Sequence, residues 1–231
     1  MDNVFDPDLP MQGTFVPNAD VLRHIKALRV GPDQPITVLD GKGNRAVCTL
    51  QSKSTLCVTS YTSTRPMPQM ILAMGHLDNK DRMEFAIEKA AELGCTEFVP
   101  LMTDHAMHAR VSHERMVAKA QAALTQSGQT WLMNIRQTVS LDAFLSTLDS
   151  NMHIIVGDSE GSTPSNTMFS QNPSAALIVG SEGGLSLREQ DLLNNLPSRG
   201  ITIHRWAINK VRLRAETAAV ALVSIVTSGR T

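Results

Sequence analysis

Two short strings carry the residue types from which a binding site can be built. Leu177-Ile-Val-Gly-Ser-Glu-Gly-Gly-Leu-Ser186 is a run of buried-strand residues that stops in a glycine-rich turn. A helix start follows, where Ser186 and Glu189 have capping-box spacing. Gly180, Gly183 and Gly184 tolerate positive φ and let main-chain amides approach a ligand, which suits a small polar or charged molecule lying against the turn. Taken alone, such a turn is more often a tight connection than a pocket. The second string, Leu213-Arg-Ala-Glu-Thr-Ala218, opens an almost uncharged helix from Glu216 to Val226 that is rich in alanine and β-branched residues, so burial on most sides is expected. Arg214 and Glu216 stand at its start, a guanidinium fork and a carboxylate beside the expected turn.

Together with a third string, Lys80-Asp-Arg-Met-Glu-Phe-Ala-Ile-Glu-Lys-Ala-Ala-Glu-Leu-Gly94, the strings Gly180–Ser186 and Ile208–Ala218 resemble the bacterial RsmE family in order and over nearly the whole chain. The resemblance implies a SPOUT (α/β-knot) methyltransferase that takes S-adenosyl-L-methionine and methylates N3 of a uridine in 16S ribosomal RNA of the small ribosomal subunit. It also implies a trefoil knot at the cofactor site and a homodimer. Cofactor contacts are then expected from Val156, Gly157, Gly180, Ser181, Glu182, Gly183, Gly184, Ile208, Leu213, Thr217 and Ala218, largely through their backbone.

Uridine N3 is a weak acid, so its methylation needs either a base or stabilisation of the anion that spreads onto the ring carbonyl oxygens. Arg214 is the candidate for stabilising that anion. Glu216 could orient it or act as base; the bland alternative is that the two form a structural pair supporting the pocket or a dimer. Lys80 and Arg82 sit at a helix start, where the dipole does not favour cations, and suggest phosphate contact. The string departs from the family in Ser181 (usually proline), Asn209 (usually glycine), Gln129 (usually arginine) and the order Val211-Arg212. If the missing arginine normally touches RNA, Arg110, Arg136 or Arg212 stands in for it; the rival is a catalytically impaired RNA-binding relative. A dinucleotide-binding oxidoreductase needs GxGxxG after its first strand, and the turn after Met74 has Gly75 alone. His105, His108 and His113 lack a Cys or carboxylate at ligand spacing, so no metal is assigned.

The elements that must position these residues follow from pattern. Residues 1–10 read as a loose arm. Then Ile36–Leu39, Ala46–Leu50 and Leu56–Thr59 read as strands, with Asp40-Gly41 as turn chemistry. Val21, Leu22, Ile25 and Leu28 share one helical face, capped by Asn18 or Asp20 and ended by Gly31-Pro32. This reads as a small β-barrel, which the resemblance makes a PUA-like RNA-binding domain over residues 1–68. Thr64-Arg-Pro-Met-Pro68 is the linker. Residues 69–231 then alternate strand and helix: strand 69–74, a helix ended by Gly94, strand 96–100, helix 113–126, helix 141–148, and strands at 154–156, 176–179 and 201–204, with a loop over 157–173. That order predicts an α/β domain with a mostly parallel sheet, whose ligand crevice lies beyond the carboxyl ends of its strands.

At 231 residues and 42% hydrophobic, the chain can bury one large or two small cores. No apolar run is long enough to cross a bilayer and the acidic N-terminus is unlike a secretory signal, so no membrane association and a cytoplasmic location are expected. Cys48, Cys57 and Cys95 form no CxxC and read as small buried hydrophobes. Net charge is −1, so RNA binding needs a local patch. Arg23, Lys26, Arg29, Lys42, Arg45, Lys53 and Arg65 outnumber Asp33 and Asp40 between residues 21 and 70, and Arg23, Lys26 and Arg29 are the RNA-binding candidates there.

Overall fold

The computed structural model describes residues 3–32, 34–106, 111–171, 173–199 and 201–230. His108, Arg110 and Asp33, named above, lie outside the described residues. The chain divides into two compact units: Met1–Met67 with Gln121–Leu132, and Pro68–Ala120 with Met133–Thr231.

The first unit holds β1 (Asn3–Phe5), β2 (Thr14–Phe15), α1 (Ala19–Leu28), β3 (Ile36–Leu39), β4 (Asn44–Ser52) and β5 (Thr55–Ser63). They form a five-stranded sheet ordered β1-β3-β4-β5-β2, antiparallel except for β1 beside β3. The loose arm expected over residues 1–10 is corrected at Asn3–Phe5, which pairs with Thr37–Leu39 and buries Val4 in the sheet core. Two hydrogen bonds anchor it: the Asp6 carboxylate accepts from Asn18 N at 2.8 Å, and Asn18 Nδ2 donates to Phe5 O at 3.0 Å. Asn18 is the N-cap of α1, accepting from Val21 N. Val21 and Ile25 turn the helix's apolar face onto Val4, Ile36, Val38 and Leu56. The helix stops at Arg29, in the left-handed region at φ 52°, ahead of the expected Gly31-Pro32. At the β3–β4 turn, Asp40 Oδ1 accepts from the amides of Lys42 and Asn44, the side-chain-to-backbone bonding that makes Asp a turn residue.

The second unit contains β6 (Met70–Gly75), α2 (Lys80–Glu92), β7 (Glu97–Met102), α3 (His113–Ser127), β8 (Asn134–Ile135), β9 (Val139–Ser140), α4 (Leu141–Ser146), β10 (His153–Ser162), β11 (Ala175–Val179), α5 (Leu187–Asn194), β12 (Ile203–Trp206) and α6 (Ala215–Ser228). The last residues of α3 belong with the first unit. The sheet order is β12-β10-β11-β6-β7-β8, with β9 also on β7, and its strand pairings are parallel. Every residue of β6 and of β11 is buried, as expected for parallel strands covered on both faces. One face carries Ile71, Ala73, Ile154, Ala176 and Ile178 against Phe144 of α4 and Leu193 of α5. Proline is unusual inside a sheet because it cannot donate to a ladder. Pro100 is accommodated because β8 reaches only Phe98 and β9 begins again at Leu101, so the strand on that side is interrupted where the donor is missing.

Strand order reverses beside β6: the chain leaves it for β7 and returns through β10 and β11 on the other side. The carboxyl ends of β6, β10 and β11 therefore flank a topological switch point, where open α/β sheets bind ligands. Two expectations shift here. The loop expected from Gly157 begins later, because residues 157–162 prolong β10, with an irregular register between Gly157 and Ser162 opposite Trp206. The last strand is displaced from 201–204 to Ile203–Trp206, leaving Ile201 as a buried core residue ahead of it.

Candidate functional site

A cavity of about 580 Å³ opens at that switch point, within the second unit. Its floor is the turn after β11. Gly184 N donates to Ser181 O at 2.9 Å, closing a tight four-residue bend that folds Gly184 back against Gly180. A Cβ at Gly180 would lie 2.6 Å from the carbonyl carbon of Gly184, and Gly184 itself has φ +76°, so both positions require glycine. Serine in place of the usual proline at 181 therefore leaves the bend intact. A capping box seats the following helix: Ser186 Oγ accepts from Glu189 N while the Glu189 carboxylate accepts from Ser186 N. That buried carboxylate also accepts from Asp104 N, tying the loop after β7 to the same corner.

The register irregularity in β10 brings Asp158 and Ser159 to the cavity wall beside Gly157. Asp158 is held by Arg205 of β12 at 3.0 Å. The segment between β12 and α6 closes the other side with Ile208, Asn209, Val211, Arg212 and Leu213. Arg212 Nη2 donates to Glu182 O at 2.7 Å, pinning this segment to the glycine turn. Arg214 and Ala218, from the start of α6, complete the wall.

Arg82 of α2 ties three elements together. Its Nε and Nη2 donate to the two carboxylate oxygens of Glu216 at 2.8 and 2.6 Å, and its Nη1 donates to Glu182 at 3.1 Å. Helix α2 is presented correctly for this by Asn79, whose side chain accepts from the amides of Asp81 and Arg82. Burial pushes the Glu216 carboxyl up, but the hydrogen bonds and charge of Arg82, with the charge of Arg214, carry it below the ordinary glutamate range. The Arg82 guanidinium is correspondingly raised by its bonding to Glu216. Glu216 is therefore an ionised, engaged carboxylate. Arg214 caps α6 with no side-chain hydrogen bond, and its exposed guanidinium has no ion pair among the described residues.

Of the residues singled out from the sequence, Arg82, Gly157, Gly180, Ser181, Glu182, Gly184, Ile208, Asn209, Val211, Arg212, Leu213, Arg214 and Ala218 meet at this cavity. The remainder do not line it. Val156 is buried in the sheet core. Gly183 backs onto His105, where a Cβ would come within 2.7 Å of that side chain. Thr217 is exposed on α6, and Glu216 lies behind Arg82. Lys80 is exposed at the first turn of α2. Arg23, Lys26 and Arg29 are exposed on and just after α1 in the other unit, where Arg23 pairs with Asp20. Arg136, proposed as a stand-in cation, is engaged by Glu97, whereas Arg212 is at the cavity. Asn79, Asp158, Ser159 and Trp206 also line the cavity and were missed. For Asp158 and Ser159 the signal was available, since they follow Gly157 directly at a strand's carboxyl end.

The described residues contain no group of three or more side chains able to hold a metal, and no helix long and apolar enough to cross a membrane. Cys48 and Cys95 are buried and Cys57 partly so, all as free thiols.

Comparison with known proteins agrees with this arrangement. A family described as "RNA methyltransferase domain" matches residues 64–227. The ribosomal RNA small subunit methyltransferase E of Aquifex aeolicus is 24% identical over 216 residues, covering 88% of this chain and 90% of that protein. Its Bacillus subtilis counterpart is 24% identical over 233 residues, covering 92% and 89%. The crystal structure of ribosomal RNA small subunit methyltransferase E from Neisseria gonorrhoeae bound to S-adenosyl methionine superposes with a TM-score of 0.86 at 22% identity, covering 99% of this chain and 97% of that one. The resemblance to the RsmE family is thus borne out, and the chain belongs to the RNA methyltransferase domain family.

Proposed function

We propose that this protein is an S-adenosylmethionine-dependent methyltransferase acting on N3 of a uridine in 16S ribosomal RNA. The observation that carries the reading is the bare-backbone cup at the carboxyl ends of β10 and β11, of a size usual for small-molecule sites, about 300–1,000 Å³. The site fits a sulfonium nucleoside. The Ser181 hydroxyl is buried without a partner among the described residues, and a Cβ at Gly184 would stand in open space, so amides, carbonyls and one hydroxyl remain for a ligand. Gly157, Gly180, Ser181, Glu182, Gly184, Ile208, Leu213 and Ala218 are proposed to surround it. Bound there, S-adenosylmethionine supplies an electrophilic methyl group.

The protein's own part is positioning and charge. A uridine extruded from its stack presents N3 and two carbonyl oxygens, and we assign Arg214, whose position at the cavity wall supports the reading, to stabilising the anion left when N3 loses its proton. Glu216 is bonded to Arg82 and not to Arg214, so the expected Arg214–Glu216 pair is corrected, and the carboxylate is assigned neither the orientation of Arg214 nor proton abstraction but the support of the wall through Arg82. By the same family resemblance we assign residues 1–68 as a PUA-like RNA-docking domain, residues 69–231 as a trefoil-knotted SPOUT domain, and the working form as a cytoplasmic homodimer.

Titration calorimetry with S-adenosylmethionine, followed by radiolabelled methyl transfer to small subunits lacking the modification and nucleoside mapping, tests the reading. Arg214→Ala should keep most of the cofactor affinity and lose transfer. Wild-type protein that ignores the cofactor overturns the proposal; a product other than 3-methyluridine overturns the atom assignment.

A further inference from the structure

The charged side chains of the second unit are distributed unevenly. Many of the described cations are neutralised: Arg115 and Lys119 by Glu84, Arg136 by Glu97, Arg188 by Asp104 and Asp142, and, at the cavity wall, Arg205 by Asp158. Within α2, Lys89 pairs with Glu88 and Glu92, and Arg82 with Glu216 and Glu182, while Arg230 is bonded to main-chain carbonyls. Among the described side chains of this unit, the cations besides Arg230 with no carboxylate oxygen within 4 Å are Lys80, Lys210, Arg212 and Arg214; Lys80 and Arg214 are felt at longer range by Glu84 and Glu216, and Arg212 is bonded to a main-chain carbonyl. All of them are exposed. Arg212 and Arg214 line the cavity, Lys210 lies between the lining residues Asn209 and Val211, and Lys80 directly follows the lining residue Asn79. From Ala207 to Ala215 there is no acidic residue.

We propose that Lys80, Lys210 and Arg212 form a phosphate clamp that holds the RNA backbone on either side of the nucleotide entering the cavity, leaving Arg214 for the base. This rests on the RNA methyltransferase reading. The physical case is that Lys210, Arg212 and Arg214, within five residues of one another and with no acidic residue among them, repel one another, and that Lys80 stands at a helix N-terminus, where the dipole adds to the cost. Such a group is offset by a polyanion, whose binding releases counterions. Arg82, the neighbouring candidate for phosphate contact, is instead consumed by two carboxylates and supports the wall. A rim bearing Val211 at 61% exposure among these cations further suits a partner that offers sugar and base surface beside its phosphates.

The test uses the full-length chain, a single-stranded RNA oligonucleotide and S-adenosylmethionine, with Lys80→Ala/Lys210→Ala compared to Lys80→Arg/Lys210→Arg. For each removed phosphate contact, the slope of log K against log salt should fall by roughly 0.7 for a single strand, so the alanine pair should lose about 1.4 and the arginine pair nothing. Cofactor affinity should stay within about twofold for both. An unchanged salt slope in the alanine pair overturns the clamp. Weakened cofactor binding with an unchanged slope would reassign these cations to the carboxylate end of the cofactor. Failure of wild-type protein to bind S-adenosylmethionine at all would instead strike the underlying functional reading, so the two failures are distinguishable.

Discussion

Replacing Arg82 with alanine removes the two hydrogen bonds to Glu216, at 2.8 and 2.6 Å, and the one to Glu182, at 3.1 Å. Glu216 is 7% exposed, so its carboxylate would be left short of both partner and water. Breaking a fully buried pair from one side costs about 3–5 kcal/mol. The Arg82 side chain is 24% exposed and its loss admits some water, so we expect ~2–3 kcal/mol. At roughly 2–4 °C per kcal/mol for a chain of this size, the melting transition should fall by about 4–12 °C. Should the two units unfold separately, the shift belongs to the transition of the second.

The sign of the pH dependence is fixed by Glu216. Its folded pKa is lowered in the wild type, so the pair's contribution is fully present above the ordinary glutamate value, about 4.3, and is lost as pH falls through the lowered folded value. In Arg82→Ala, burial is opposed only by a backbone hydrogen bond and the charge of Arg214, the pKa rises, and acid relieves the penalty. The stability gap between wild type and variant should therefore be widest at pH 7 and close as the pH falls through about 4. Denaturant unfolding at several pH values measures it, and Arg82→Ala/Glu216→Gln should recover part of the loss at pH 7. A variant within about 0.5 kcal/mol of wild type at pH 7, or a gap that does not narrow in acid, would refute the assignment of Arg82 as the counter-charge of a buried carboxylate.

Three further outcomes are expected. Gly180→Ala places a Cβ 2.6 Å from Gly184 and must displace the turn, so calorimetry should show S-adenosylmethionine affinity down by at least about tenfold; unaltered affinity would remove the turn from the site. Ser186→Ala deletes the acceptor for Glu189 N and should lower stability by about 1 kcal/mol, read as a drop in the midpoint of thermal unfolding. Asp104 is pulled down to about 2 by hydrogen bonds from Arg188 and Ser186. In Arg188→Ala its carboxyl should titrate nearer the ordinary aspartate value, about 3.9, when followed by carbon NMR, and a carboxyl that does not move would show the Arg188 contact to be inconsequential.

Features governed by neighbours within a few residues were legible in the sequence. Asn18 and the Ser186–Glu189 box cap their helices as local hydrogen-bonding chemistry requires, and the uninterrupted apolar runs of β6 and β11 signalled parallel strands buried on both faces. The glycine turn and the resemblance carried by its surroundings pointed to the site because its constraint is on backbone, which glycine records directly. Long-range pairing was not legible. Arg82 and Glu216 are 134 residues apart, and nothing in either neighbourhood distinguishes a phosphate-binding arginine from one that neutralises a buried carboxylate. Likewise Asn3–Phe5 became a strand, and Gln121–Leu132 joined the first unit, through contacts with distant segments that outweigh local preference. Composition set which charges the chain possesses; packing alone decided which of them are spent on one another and which are left facing the cavity.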